Sequence, residues 1–160
     1  LPTPRDWEDH LSTLFPEVRL KTFLEMRGAD GGPWRRICAL PALWVGLLYD
    51  TTALDAAWDI VKAWSIEDHI GLRRDAPQRA FGAMVGTRSV GDIARDVVAI
   101  SEQGLRNRAR HDRFGEDEVH FLDVLRTILQ SGRTPAEDLL DLFHSQWNGS
   151  VDPIYERFAF

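Results

Sequence analysis

A single cysteine, Cys38, excludes an intrachain disulfide, and with it the disulfide-stapled secreted scaffold. Nor can one cysteine build a zinc knuckle. The five histidines (His10, His69, His111, His120, His144) show neither H-x-x-x-H nor H-E-x-x-H spacing, so no structural zinc site is expected. Long apolar runs are missing too. The longest, Ala39 to Tyr49, has eleven residues including a proline and a glycine, too short for a bilayer and suited to a buried helix. There is no G-x-S-x-G elbow and no G-x-x-x-x-G-K-[ST] loop, so α/β-hydrolase and P-loop chemistry have no support. Positive charge is in deficit, 19 Lys and Arg against 25 Asp and Glu, and the net charge of −6 argues against general nucleic-acid binding. Arg106, Arg108, Arg110 and Arg113 do cluster, but late in a helical pattern, where cations complement the helix dipole. No signal peptide or membrane segment is recognisable, and the chain opens at Leu1-Pro2-Thr3-Pro4 without an initiator methionine, as a linker or a cut would.

What is present is an ordinary globular composition, with a length sufficient for one hydrophobic core, so one domain over residues 1–160 is expected. The six tryptophans are expected mostly in packing roles. Thr3 followed by Pro4 predicts a short helix to Leu14. Pro41 is expected to open an apolar helix that Asp50 and Thr51 end, capping the next, over 52–64. Ser65 caps a helix to Arg74, and 75–88 reads as irregular or a partial hairpin. Helices are predicted from Ser89 to Arg108 and from Asp117 to Ser131, the second ended by Gly132. Thr134-Pro135-Ala136-Glu137 is a capping box opening a helix to Trp147.

The most informative segment is Glu17 to Arg27, E-V-R-L-K-T-F-L-E-M-R. In a strand, alternate side chains share a face. One face then carries Glu17, Arg19, Lys21, Phe23, Glu25 and Arg27; the other carries Val18, Leu20, Thr22, Leu24 and Met26. A helix would scatter these charges, so the segment is predicted to be extended. Its charged row needs water, ion-pair partners, or a polyanionic ligand with a metal, and a sheet with one solvated face meets the first condition. The segment runs on into Gly28-Ala29-Asp30-Gly31-Gly32-Pro33, whose glycines let backbone approach a ligand, and then into Trp34-Arg35-Arg36.

Glu25-Met26-Arg27-Gly28-Ala29-Asp30 resembles the E-x-R-x-x-D strand signature of the glutamine synthetase-like carboxylate–amine ligases. Longer runs are more specific: F-P-E-V-R-L-K from Phe15, E-M-R-G-A-D-G-G-P-W-R-R from Glu25, and C-A-L-P-A-L-W-V-G-L-L-Y-D from Cys38. With T-P-A-E at Thr134 and W-x-G-S-V-D-P-I-Y from Trp147, they resemble the C-terminal half of the plant and proteobacterial glutamate–cysteine ligases. The resemblance extends from Asp6 to Tyr155.

It implies an α+β fold, one or two strands of a glutamine synthetase-like antiparallel sheet followed by a mainly helical half. The chain would be a C-terminal fragment of a larger catalytic domain. It implies a cytoplasmic enzyme that uses ATP and Mg²⁺ to join glutamate to cysteine through an acyl phosphate, and it leaves room for a homodimer. Glu25 and Glu17 are then the metal-ligand candidates, with Asp30 a further oxygen donor. Arg27 is the candidate catalytic cation, while Arg19 and Lys21 are candidates for phosphate contact and Trp34 for the acceptor pocket. From the residues alone, Arg19 and Lys21 read equally well as members of a cross-strand ion-pair ladder. Cys38 reads as a buried small hydrophobe, although plant members place a redox-sensitive cysteine in this context. Two rival functions remain: a non-catalytic helical interaction module of the same fold, and a ligase with another amine acceptor.

Overall fold

A computed structural model describes residues 1–29 and 31–158. The fold is α+β, with two small antiparallel sheets among many helices. It divides into two compact units, Leu1–Gly31 and Gly32–Phe160.

The first unit opens with α1, Pro4–Ser12. Thr3 Oγ1 accepts a bond from the Asp6 N–H, the Asp6 carboxylate accepts one from the Thr3 N–H, and Pro4 takes the first turn, where a missing N–H is harmless. The expectation of one continuous strand from Glu17 to Arg27 is corrected here. The segment is a hairpin of β1, Val18–Leu20, and β2, Leu24–Met26, with Val18 opposite Met26, Arg19 opposite Glu25 and Leu20 opposite Leu24. The chain reverses over Lys21-Thr22-Phe23, where the Lys21 N–H donates to the Phe23 carbonyl at 2.8 Å. Reversal satisfies inside the segment backbone groups that an isolated strand would leave open on both edges. The face-sorting survives the fold-back, because residues directly opposite in a ladder project to the same side.

The second unit is mainly helical. Helix α2, Trp34–Leu48, runs unbroken through Pro41, so the expectation that Pro41 opens the helix is also corrected. Helix α3, Thr51–Val61, is capped by Asp50, whose side chain accepts from the Ala53 N–H at 2.8 Å. Helix α4, Ile66–Arg79, starts on a Ser65–Asp68 capping box and extends past Arg74 through Pro77. A 3₁₀ turn over Ala80–Gly82 leads to a hairpin of β3, Met84–Val85, and β4, Arg88–Ser89. Helix α5, Val90–Arg108, is capped by Ser89. The predicted helix from Asp117 to Ser131 is a 3₁₀ segment, Glu118–Leu122, that continues as α6, Asp123–Ser131, ended by Gly132 at φ +68°. Helix α7, Pro135–His144, has the Thr134–Glu137 capping box, and α8, Asp152–Arg157, was not anticipated.

Helices α2 and α5 make the central contact of this unit. They cross where Gly46 meets Ser101 and Gly104, so closely that a Cβ added at Gly104 would lie 1.9 Å from the Gly46 carbonyl oxygen. The fully buried Ser101 hydroxyl donates to the Leu43 carbonyl at 2.9 Å and satisfies itself across the crossing. Beside it Ala42, Leu105, Val119 and Leu122 form the core, with Leu43, Val45 and Leu125 packed against it. Leu105 and Leu122 are each worth about 1.5–3 kcal/mol by burial. Among the described residues Trp147 is the one buried tryptophan; Trp7, Trp34 and Trp58 are more than half exposed, against the expectation of packing roles for most. Among the described residues no single helix is long and apolar enough to cross a membrane.

Candidate functional site

The hairpin of the first unit carries most of the candidate residues. Its register places Arg19 and Glu25 directly opposite, and the Arg27 N–H donates to the Glu17 carbonyl at 2.7 Å, extending the ladder by one pair. Glu17, Arg19, Glu25 and Arg27 therefore share a face. Read around Thr22 the charges mirror with opposite sign, acid at 17 against base at 27 and base at 19 against acid at 25. The hairpin thus sets opposite charges across from each other, which cross-strand pairing favours.

Arg19 donates to Glu25 Oε2 from Nε at 2.8 Å and from Nη2 at 2.7 Å, realising the ion-pair-ladder reading for this residue. Both side chains are about one-third exposed, so solvent screens the pair and it adds little to stability. The Arg19 hydrogen bond, helped by the nearby charges of Arg19, Arg27 and Lys21, holds the Glu25 carboxyl below its ordinary value of 4.5 against the opposing effect of partial burial. Glu25 is then an ionised acceptor. Its Oε1 has no hydrogen-bond partner among the described residues.

Arg27 differs from its neighbour. Its guanidinium lies 5.0 Å from the centre of the Phe15 ring, and its Nη1 is buried without a hydrogen-bond partner among the described residues. A buried guanidinium nitrogen left unsatisfied is costly, and an anion is the natural way to satisfy it. Lys21, in the turn, is exposed and has no ion pair among the described residues. Glu17 is exposed, with its side-chain carbons in ordinary contact distance of the position a Cβ on Gly28 would take.

Mg²⁺ takes one or two protein carboxylates and completes its shell with water and substrate phosphate. Glu25, ionised and with Oε1 open, fits that role; Glu17 lies on the same face as a second donor. Asp30 lies outside the described residues. No group of three or more His, Cys, Asp or Glu poised for a metal occurs among the described residues.

Trp34 belongs to the second unit. It stands 74% exposed at the start of α2 and lines a cavity of about 800 Å³. Cys38 is half-buried in the wall of the same cavity rather than in the core, which corrects the buried-hydrophobe reading. Arg35, Arg36 and Arg157, also in that wall, were not singled out from sequence; the Trp34-Arg35-Arg36 run at a helix start was the signal for the first two, and Arg157 had none.

Residues 3–157 match the model of glutamate–cysteine ligase family 2. Over 160 residues the chain is 47% identical to the chloroplastic glutamate–cysteine ligase A of Oryza sativa subsp. indica, covering 100% of this chain and 31% of the relative. It is 45% identical over 159 residues to the chloroplastic glutamate–cysteine ligase of Nicotiana tabacum, and 44% identical over 160 to that of Arabidopsis thaliana, covering 29% and 30% of them. The chain thus spans about a third of the length of these relatives. Their names also overturn the cytoplasmic expectation, since each is called chloroplastic.

Proposed function

The chain belongs to glutamate–cysteine ligase family 2, and from that membership we propose that it is part of the catalytic domain of an ATP- and Mg²⁺-dependent ligase of glutathione biosynthesis. That ligase joins the γ-carboxylate of glutamate to the amine of cysteine. The γ-phosphoryl group of ATP passes to the carboxylate, ADP leaves, and the amine displaces phosphate from the acyl phosphate. Metal and fixed cations offset charge on the transferring group, so the protein's task is mainly positioning and electrostatics.

The single observation that carries this reading is the charged hairpin face, with Arg27 Nη1 buried and unpartnered among the described residues. A scaffold has no reason to keep a buried guanidinium nitrogen unsatisfied, whereas a carboxylate or phosphoryl oxygen would satisfy it. Arg27 then neutralises the reacting carboxylate or the phosphoryl group. Glu25, with Glu17 beside it on the face, would hold the metal, which would offset charge on the transferring group. Arg19 keeps Glu25 ionised and oriented through its two bonds to Oε2, and with Lys21 provides positive charge for phosphate. Trp34, in the second unit, is the candidate for contact with the acceptor amine, its ring 74% exposed.

A charged hairpin with at most two carboxylates cannot surround ATP, metal and two amino acids, so residues 1–160 alone are proposed to be inactive. ATP-dependent phosphate release, measured on the full-length polypeptide with Mg²⁺ and glutamate, with and without cysteine, tests the reading when the product is identified by mass. Release that needs cysteine and yields γ-glutamylcysteine is expected. Release with another amine replaces the acceptor; no release from folded protein with any amine favours the non-catalytic module.

A further inference from the structure

The cavity of the second unit has two chemistries. Its floor is apolar, formed by Phe121, Val124, Ile128, Leu139 and Leu142, and a smaller cavity of about 250 Å³ adjoins it, sharing Cys38 and Phe121. Its wall carries charge of both signs, but the acids are already taken. Asp123 pairs with Arg126, and Asp138 shares Arg133 with Asp141. Arg35, Arg36 and Arg157 line the same cavity and have no ion-pair partner among the described residues. Three guanidinium groups without an ion pair among the described residues line one hollow in a chain of net charge −6. Phe121 stands 40% exposed at this cavity, apolar surface without cover.

We propose that this cavity receives an acidic, amphipathic segment of the same polypeptide from outside residues 1–160, its apolar side chains on the floor and its carboxylates on Arg35, Arg36 and Arg157. The relatives are about three times as long as this chain, so most of the polypeptide is available to supply it. A tethered segment acts at an effective concentration of about mM, which favours it over a second copy at ordinary protein concentration. Arginine suits the role because its planar fork grips carboxylates in two parallel bonds and loses little hydration on burial. The proposal concerns a docking surface and does not depend on which amine the ligase accepts.

The test uses the full-length polypeptide with the photo-crosslinking residue p-benzoylphenylalanine in place of Phe121 and, in a second variant, of Leu139. After irradiation the crosslinked peptide is identified by mass spectrometry. The expected partner is a peptide from outside residues 1–160, rich in Asp and Glu, in a yield independent of protein concentration. Arg35→Glu with Arg36→Glu should lower that yield at least 10-fold, and Arg110→Glu, away from the cavity, should leave it unchanged. Crosslinks to a second copy with concentration-dependent yield, no crosslink beyond residues 1–160 at either position, or a yield indifferent to the double charge reversal would each overturn the proposal. None of these readouts uses ligase activity, so they stand or fall apart from the catalytic reading.

Discussion

Replacing Gly104 by alanine should destabilise the protein although alanine is the better helix former. In an open helix interior the exchange stabilises by about 1 kcal/mol, since glycine gives up more backbone freedom on folding. At Gly104 the new Cβ would stand 1.9 Å from the Gly46 carbonyl oxygen and 3.0 Å from the Ala53 Cβ, where real Cβ contacts essentially never fall under 3.0 Å. Helices α2 and α5 would have to separate by about 1 Å, an overpacking strain of about 1–3 kcal/mol. That separation also stretches the 2.9 Å bond from Ser101 to the Leu43 carbonyl beyond hydrogen-bond length and strands a fully buried hydroxyl, at a further cost of about 1–3 kcal/mol. After the propensity gain is subtracted, the net loss is about 1–5 kcal/mol, or roughly 2–20 °C in Tm for a chain of this size. Gly71 in α4 is the control: a Cβ there meets nothing within 4 Å, so Gly71→Ala should stabilise by about 0.5–1 kcal/mol. Thermal and urea unfolding followed by far-UV circular dichroism measure both, and an unchanged urea slope marks a true change in stability. A Gly104→Ala protein as stable as the parent would refute the close crossing.

The hairpin and the helix ends carry three further expected outcomes. Glu25 should titrate below 4.5 in a carboxylate-resolved NMR experiment, and Arg19→Ala should move it back up; because the folded value is depressed, whatever stability the pair contributes is present above 4.5 and lost as pH falls through the folded midpoint, so an unshifted Glu25 would remove the ion pair from solution. In the full-length enzyme Arg27→Lys and Glu25→Gln should each lower kcat by about 100-fold or more while leaving the melting curve nearly unchanged; near-parental turnover in either variant would strip that residue of its role. Ala109 ends α5 in the left-handed region at φ +50°, so Ala109→Gly should raise stability by about 1 kcal/mol, and a lower Tm would contradict that backbone conformation.

Local chemistry was legible in the residues themselves. Thr3-Pro4, Ser65 with Asp68, Ser89, and Thr134-Pro135 with Glu137 each announced a helix start, because a cap needs only partners two or three residues away. Alternation over Glu17–Arg27 announced an extended segment with one charged face, and that face survives a reversal that alternation does not reveal, because residues directly opposite in the ladder project to the same side. The 3.6-residue pattern also placed Leu122, Leu125 and Leu105 toward the interior. Sequence alone therefore determined the caps, the face-sorting, the α+β character and the family.

Tertiary structure decided what depends on distant approach. Whether Glu25 meets Arg19 rests on where the chain turns, at Lys21-Thr22-Phe23, and whether Arg27 is satisfied rests on what surrounds its Nη1. Pro41 reads as a helix opener from its neighbours, yet α2 continues through it, its inner side held against α5. Gly46, Ser101 and Gly104 carry no periodic signal, since small residues at a crossing contribute by what they leave out. Arg35, Arg36 and Arg157, which line the second unit's cavity, are scattered from 35 to 157 in the sequence. Caps and alternation are set by bonds between neighbours, whereas crossings and cavities are set by which distant backbones can come within van der Waals contact, and only the folded chain brings those together.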